Sequence, residues 1–317
     1  MLKISIIVPF FNSSSYLKEC LESILEQPNV DLELIAINDG STDDSLEIVN
    51  NIAAEDCRLT VASFENGGLS IARNRGLKIA SNDYVMFVDS DDVLERNSLG
   101  PIAKHLKDEN LDCCMFNGKV FYDGEKEKYR LINFDYERPS LLGVFSGTEL
   151  FNEMIRLQKY NTSACMYIFR QSAMSDIQFY PNIYHEDNLF TTQLLLSQKL
   201  KRVSIYPLVV YLRRVRNNSI MTEVKSLKHL LGFWTVYEEL KKTNTSDKIT
   251  LKSLRSYQLR TLKKVVQTSY KIETKDNSKN ALYWRLMAVK EYFLKGYFID
   301  APRSFKFFSK SILGFRG

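Results

Sequence analysis

The stretch YVMFVDSDDVLE, Tyr84–Glu95, decides the fold. Five largely apolar residues run straight into three carboxylates, Asp89, Asp91 and Asp92, crowded around Ser90. A short apolar run bounded by polar residues reads as a buried strand. Three carboxylates at the end of such a strand repel one another unless a cation neutralises them. Oxygen ligands at that density suit a hard divalent ion, Mg2+ or Mn2+, which can bridge to a diphosphate. The plainer reading is a helix start at which Asp91 or Asp92 caps VLERN and favours its dipole. An Asp-x-Asp is short and common, so its neighbours must choose between the two.

Working outward, KISIIVPFF reads as a buried strand, SYLKECLESILEQ as an amphipathic helix and LELIAIND as a second strand. A helix DDSLEIVNNIAAE follows, with Ser41 or Thr42 as its N-cap, then a strand LTVASF, a glycine-broken loop ENGG and a helix LSIARNRGLKIA. The order βαβαβαβ predicts an α/β fold: a Rossmann-like, mostly parallel central sheet with flanking helices. Ligands of such sheets sit beyond the carboxyl ends of the strands, where Pro9, Asp39, Asn66 and Asp89 fall. Neither GxGxxG nor GxxxxGK[ST] is present, so neither glycine-rich way of holding phosphate is indicated.

The 317 residues are 44% hydrophobic and 26% charged, enough for one large domain and a smaller one. A net charge of +5 and a pI near 8.7 fall short of the clustered excess of a nucleic-acid binder, and no nucleic-acid partner is expected. Five cysteines with no CxxC argue against a disulfide framework and against zinc, and for a reducing cytoplasm. The first apolar run is too short for a signal h-region, and no later run reaches about 18 apolar residues, so no membrane span is expected.

Four segments occur in order: IVPFFN (Ile7–Asn12), NDGSTDDS (Asn38–Ser45), ENGGLSIARNRG (Glu65–Gly76) and FVDSDD (Phe87–Asp92). Together they resemble the signature of the family 2 glycosyltransferases of GT-A fold, inverting enzymes that transfer sugars from nucleotide diphosphates. The resemblance is strong over about the first 100 residues and fades beyond about residue 225. It implies a donor site built from Pro9, Phe11, Asp39, Asn66, Arg73, Asp89, Ser90 and Asp91. Asp39 would contact a uracil imide, Asn66 a base edge, Arg73 base carbonyls or phosphate, and Asp89 the ribose or sugar. Asp91 would hold the metal that bridges the phosphates, with Asp89 and His185 as further candidates; Asp92 is the less certain member.

HED, His185–Asp187, opens a segment read as an amphipathic helix, whose N-terminal dipole is expected to keep a carboxylate ionised. The resemblance makes Asp187 the base that deprotonates the acceptor, with Glu186 or His185 orienting it. Downstream, YLRRVRNNSIMT (Tyr211–Thr222) is similar to an RxRxxSI stretch of bacterial members, in which Arg214 and Arg216 would clamp the diphosphate.

These features divide the chain into a catalytic region, 1–225, with a nucleotide-sugar half at about 1–100 and an acceptor half at about 101–225, and a helical region, 226–317. The end of the chain sets Arg285, Lys290, Lys295, Arg303, Lys306, Lys310 and Arg316 among Tyr292, Phe293, Tyr297, Phe298, Phe305, Phe307 and Phe308. That mixture suits an anionic membrane surface, equally well a packed core with a solvated face, and the helical region is also a candidate homodimer contact. The expectation is a cytoplasmic, metal-dependent UDP-sugar transferase, docked on the inner face of the plasma membrane if the tail touches lipid. It would extend a lipid-linked glycan in surface-polysaccharide synthesis. Transfer to a protein or a wall teichoic-acid polymer is an alternative. A non-catalytic nucleotide-sugar-binding protein is another, against which the presence of both Asp91 and Asp187 argues.

Overall fold

The computed structural model describes residues 2–123, 136–174, 176–216, 224–272, 275–297 and 304–312. The first half alternates strands and helices: β1 (Lys3–Phe10), α1 (Leu17–Leu25), β2 (Asp31–Asn38), α2 (Ser45–Glu55), β3 (Leu59–Ser63), α3 (Leu69–Ile79) and β4 (Tyr84–Phe87). After β5 (Val93–Leu94) come α4 (Leu99–Asp108), β6 (Cys113–Tyr122), α5 (Gly147–Arg156), β7 (Tyr167–Arg170), α6 (Glu186–Leu196) and β8 (Val203–Val215). The remaining helices are α7 (Leu227–Lys241), α8 (Lys248–Lys271), α9 (Lys275–Leu294) and α10 (Phe305–Ile312).

All eight strands form one sheet in the order β3-β2-β1-β4-β7-β6-β8-β5. The half built from β3, β2, β1 and β4 is entirely parallel, as the βαβ alternation predicts. β7 enters antiparallel to β4 and to β6, so the sheet changes character at β4, the strand that ends in the acidic cluster. From Ile4 to Phe10, β1 is buried without a break, the pattern of a central strand covered by helices on both faces.

Two local features set the position of the site. Gly76 lets α3 lie against β1, since a Cβ there would come within 2.3 Å of the Ile7 side chain. This close approach carries Arg73, one turn earlier on the same helix, down to the end of β4. The second feature is β5, which follows the acidic cluster directly and pairs with Tyr211 and Leu212 of β8. That pairing brings the arginines at the end of β8 to the same place. The expected cap of α2 differs: the helix starts after Asp44, and the Thr42 N–H is held instead by the side chain of Asn12.

The main core runs from the sheet into the C-terminal helices, because Val236, Leu240, Leu254 and Tyr257 of α7 and α8 pack in it. The region after residue 225 is helical as expected, and its burial is continuous with the catalytic region across that boundary. A second cluster forms among α7 to α10, with Tyr237, Leu262, Tyr292 and Phe308 at its centre. For the described rings of the tail this is the packed-core arrangement. Tyr292, Tyr297 and Phe308 are interior, and Phe293 and Phe307 pack against the same cluster. Arg285 lies over the Tyr270 ring at 3.7 Å and donates to Ser269. Aromatics at helical spacing look alike whether their face meets a neighbouring helix or water, which is why the pattern did not separate the two. Phe298, Arg303 and Arg316, and the side chains of Phe305, Lys306 and Lys310, lie outside the described residues. Among the described residues no helix is long and apolar enough to cross a membrane.

Phe308 stacks on Tyr292 with centroids 4.2 Å apart and is fully buried. Phe308→Ala is therefore expected to lower the unfolding free energy by about 3 kcal/mol, the usual cost of emptying a buried ring site. Thermal and urea denaturation measure it, and a loss below about 1 kcal/mol would return this ring to the surface.

Candidate active site

A cleft of about 590 Å³ opens at the carboxyl ends of β1, β2 and β4. Of the residues expected there, Pro9, Phe11, Asp39, Asn66, Asp89, Ser90, Asp91 and Arg216 line it. Arg73, Arg214 and the residues of the HED segment do not. Arg73 and Arg214 bond Asp89 and the Asp91 carbonyl from behind the lining.

At one end, Asp39 is built in by the glycine loop. Its Oδ1 accepts from the Gly67 N–H at 2.9 Å and its Oδ2 from the Gly68 N–H at 2.7 Å. Arg75 also donates to Oδ1 at 2.9 Å while lying over the Phe64 ring at 4.6 Å. Three of the roughly four acceptor sites of an ionised carboxylate are thus used, leaving one on Oδ2 for a single further donor. Asn66 donates its amide to the Asp39 carbonyl at 2.9 Å. The two glycines of the ENGG loop consequently hold Asp39. Arg75 was missed, although the second arginine of ARNR marks it.

The acidic cluster separates into three environments. Asp89 accepts from Arg73 Nη2 at 2.7 Å. Burial opposes its charge, but the guanidinium outweighs it and holds the carboxyl below the usual range. Asp91 is paired with Arg216, whose Nε and Nη2 both lie 2.8 Å from Oδ2. Asp92 accepts from the Tyr211 hydroxyl at 2.6 Å and from the Arg214 N–H at 2.7 Å. Burial first, then Asp91 and Asp89 nearby, push its carboxyl well up. Asp92 fastens β8 beneath the cleft and does not line it.

Arg214 does not point at a diphosphate site. It donates through Nε to the Asp91 carbonyl at 2.8 Å, pairs with Glu19 and lies over Tyr16 and Phe121. The cleft instead receives Arg213, whose hydrogen bond goes to the Tyr136 hydroxyl. Strand alternation sets residues 213 and 214 on opposite faces of β8, whereas Arg216 lies just past the end of the strand and escapes that alternation. Tyr184 and Lys228 also line the cleft and carry no motif. Residues 217–222 of the RxRxxSI stretch lie outside the described residues.

Arg73 is the centre of the arrangement. It is 3% exposed, with Nη1 donating to Glu186 at 2.7 Å and Nη2 to Asp89 at 2.7 Å. The guanidinium faces the Phe179 and Phe87 rings at 5.1 and 5.9 Å. Its fork is engaged by two carboxylates of the protein, which replaces the expected contact to a base or phosphate.

Asp187 follows Glu186 at the start of α6. The expectation that the helix dipole keeps it readily ionised is overturned. Burial, and next to it the charge of Glu186, push its carboxyl up to about 7. Among the described residues no side chain or N–H bonds to its oxygens, and the charges of Arg73 and Arg213 offset those two effects only in part. α6 is also not amphipathic, since Leu189, Phe190, Thr191, Thr192, Leu194 and Leu195 bury both of its faces. His185, the further metal candidate, is not among the residues that line the cleft. It adopts φ 67°, its ring stacks on Phe233 at 3.8 Å, and burial pushes the imidazole down to about 3.

The match to known proteins agrees with this architecture. The family model for glycosyl transferase family 2 covers residues 5–177, more than half of the chain. The chain belongs to this family, and it is a glycosyltransferase of GT-A-like fold. It is 27% identical over 260 residues to the uncharacterised glycosyltransferase YibD of Escherichia coli K12, spanning 78% of this chain and 74% of YibD. It is 32% identical over 225 residues to glycosyltransferase GlyA of Streptococcus pneumoniae, spanning 69% of this chain but only 31% of GlyA. Residues 1–349 of S. aureus TarS, in complex with UDP-GlcNAc, superpose with a TM-score of 0.69 at 22% identity, covering 91% of this chain and 81% of that one.

The HED segment depends on α7 for its position. A Cβ on Gly232 would sit 2.3 Å from the Tyr184 carbonyl oxygen, so the helix backbone packs directly on the residue before His185. Gly232→Ala, which in an ordinary helix would stabilise by about 1 kcal/mol, is here expected to destabilise by about 1–3 kcal/mol. Sugar transfer should fall more than UDP binding. Denaturation and nucleotide titration of the variant measure both, and a stabilised, fully active protein would refute the packing argument.

Proposed function

We propose that the chain transfers a hexosyl or N-acetylhexosaminyl unit from a UDP-sugar to a hydroxyl of a glycan acceptor, with inversion at the anomeric carbon. The observation that carries this reading is the bridge Asp89–Arg73–Glu186, which ties the diphosphate end of the cleft to the residue beside Asp187. Asp39, with its single open acceptor site beside Asn66, suits the imide N–H of uracil. TarS, solved with UDP-GlcNAc, supports the same donor class.

A divalent ion, Mn2+ or Mg2+, is compatible with the residues present. Asp89 and Asp91 offer oxygen donors in the cleft, and Oδ1 of Asp91 has no partner among the described residues. No group of three or more His, Cys, Asp or Glu among those residues could enclose a metal alone. The protein's share would be one or two carboxylates, with donor phosphates and water completing the shell, as hard ions of this kind are commonly held. When bound, such an ion supplies neutralisation of the departing diphosphate.

The residues of the chain do the rest. Asp187 accepts the proton of the acceptor hydroxyl as its oxygen bonds to the anomeric carbon, and the bond from that carbon to the diphosphate oxygen breaks. Attack from the face opposite the leaving group inverts the centre. Arg216 and Arg213, at the mouth of the cleft, take the charge of UDP as it leaves. The acceptor proposed is a lipid-linked oligosaccharide of a surface polysaccharide, reached from the cytoplasmic side of the membrane.

Two experiments test this reading. A base with its pKa near 7 is competent only when ionised, so kcat/KM should rise with pH through about 7 and level off above it. Asp187→Asn should lower transfer by about 10²-fold or more while UDP titrates with nearly unchanged affinity. A variant that keeps the wild-type rate would place the base elsewhere. Separately, Asp91→Asn and chelation of the wild type should each abolish turnover across a panel of UDP-sugars and weaken UDP binding measured by calorimetry. Full turnover in excess EDTA would remove the metal from the mechanism.

A further inference from the structure

One cation of the donor cleft is held differently from its neighbours. Arg73 is engaged by Asp89 and Glu186, Arg75 by Asp39, Arg214 by Glu19 and Arg216 by Asp91. Arg213 is held by a neutral group. Its Nη1 donates to the Tyr136 hydroxyl at 2.5 Å, and its guanidinium lies 5.5 Å from the centre of the Tyr136 ring. Among the described residues no carboxylate comes within ion-pair reach of Arg213, and its Nε and Nη2 have no hydrogen-bond partner.

The neutral partner has a physical consequence. A carboxylate would cancel the charge of the guanidinium and compete with an incoming anion, whereas a phenol fixes its direction and leaves its charge. Burial weighs against that charge, and nearby groups, Asp92 and Asp89 among them, more than offset it, so Arg213 stays a cation in the wall of the cleft. Burial also raises the Tyr136 phenol, which therefore remains a neutral hydroxyl.

Tyr136 is itself firmly seated. Its carbonyl accepts from the Gly118 N–H of β6 at 3.1 Å. Two residues on, Arg138 is 2% exposed and donates to the carbonyls of Phe116 at 3.1 Å, Asn161 at 3.2 Å and Met166 at 3.3 Å. The Arg138 N–H adds a bond to the Asn117 side chain at 2.9 Å. These bonds fix the Tyr136 backbone on β6, so its hydroxyl is a fixed point against which Arg213 is aimed.

The chemistry of the donor selects the anion. The open Nε–H and Nη2–H groups form the fork that matches two oxygens of a phosphate. In a UDP-hexose or UDP-N-acetylhexosamine the diphosphate is the charged part. Asp39, at the end of β2, sets the base end of the cleft, and Arg213 enters from β8, on the other side of β4 in the sheet order. The phosphate farther from the base is therefore the nearer one to Arg213.

We propose that Tyr136 is a positioning residue for the donor: it holds Arg213 without neutralising it, and Arg213 bonds the β-phosphate of the UDP-sugar. This rests on the UDP-sugar reading and adds to it a residue that does not line the cleft.

A double-mutant cycle read by calorimetry tests it. UDP and UMP are titrated, with Mn2+ present, into the full chain and into its Tyr136→Phe, Arg213→Gln and double variants. Arg213→Gln should weaken UDP at least about tenfold, the scale of one charge-assisted contact, and Tyr136→Phe about three- to tenfold. In the Arg213→Gln background Tyr136→Phe should add less than about twofold, because its effect passes through Arg213. UMP lacks the β-phosphate and should bind every variant within about twofold of the wild type, and the KM for acceptor should not move. A merely structural role would weaken both nucleotides in both backgrounds, and that result would overturn the proposal. Should Arg213→Gln fail to fold by circular dichroism, Arg213→Lys takes its place in the cycle with the same expectation. Wild-type UDP affinity in folded Tyr136→Phe, or additive losses in the double variant, would overturn the proposal and leave the UDP-sugar reading intact. Absence of UDP binding by the wild type would overturn both.

Discussion

The architecture of the site depends on a single buried guanidinium. Arg73 sits on α3, Asp89 at the end of β4 and Glu186 at the start of α6, and Arg73 bonds both carboxylates at 2.7 Å. Charges withdrawn from water carry a desolvation penalty of several kcal/mol per ion, which an arginine offsets only by engaging its partners at close range. Here two aromatic rings cover the planar face and two carboxylates take the fork, leaving Nε without a partner. Removing the guanidinium would leave Asp89, Glu186 and Asp187 as neighbouring acids with less compensation. One or more would take up a proton, and the separation of an ionised Asp89 from a near-neutral-titrating Asp187 would be lost.

That separation has a chemical use. Asp89 is held below the ordinary range by Arg73, whereas Asp187, half-buried beside Glu186 and without a hydrogen bond among the described residues, is raised to about 7. Two carboxylates near one cleft thereby acquire different tasks through their surroundings: one stays anionic, and the other exchanges a proton near neutral pH. The sheet makes this possible. β4 is the last strand of the parallel half and pairs antiparallel with β7, so its carboxyl end opens at a seam where elements from both halves converge.

Much of this was legible in the residues, and the reasons for the remainder are physical. The βαβ rhythm, the parallel order around β1 and the place of Asp39, Asn66, Asp89 and Asp91 at strand ends all follow from short-range periodicity. The targets of the arginines did not. RNR and RRVR announce cations, but whether each one faces a cleft or a protein carboxylate depends on contacts between residues more than 100 positions apart, such as Arg73 with Glu186 or Arg214 with Glu19. The direction of the Asp187 shift failed for the same reason. A helix start argues for a stabilised anion, and only the three-dimensional packing shows that burial and Glu186 outweigh it.

The C-terminal helices pack into the sheet's core and against the HED segment and are not an appendage. His185 is held at φ 67°, a left-handed conformation that is uncommon for a residue with a side chain and persists only where its surroundings impose it. The imposing groups come from α7: Phe233 stacks on the imidazole, the His229 ring lies 5.9 Å away, and Gly232 packs on the Tyr184 carbonyl. α7 is in turn fixed by Tyr237 and Lys241, both bonded to Glu291 of α9. The second aromatic cluster thus reaches the acidic site through one helix and a strained residue, so the geometry at Asp187 is set in part by packing beyond residue 225. A protein shortened to the region of strongest motif resemblance would keep Asp39, Asp89 and Asp91 but lose the packing that holds the HED segment.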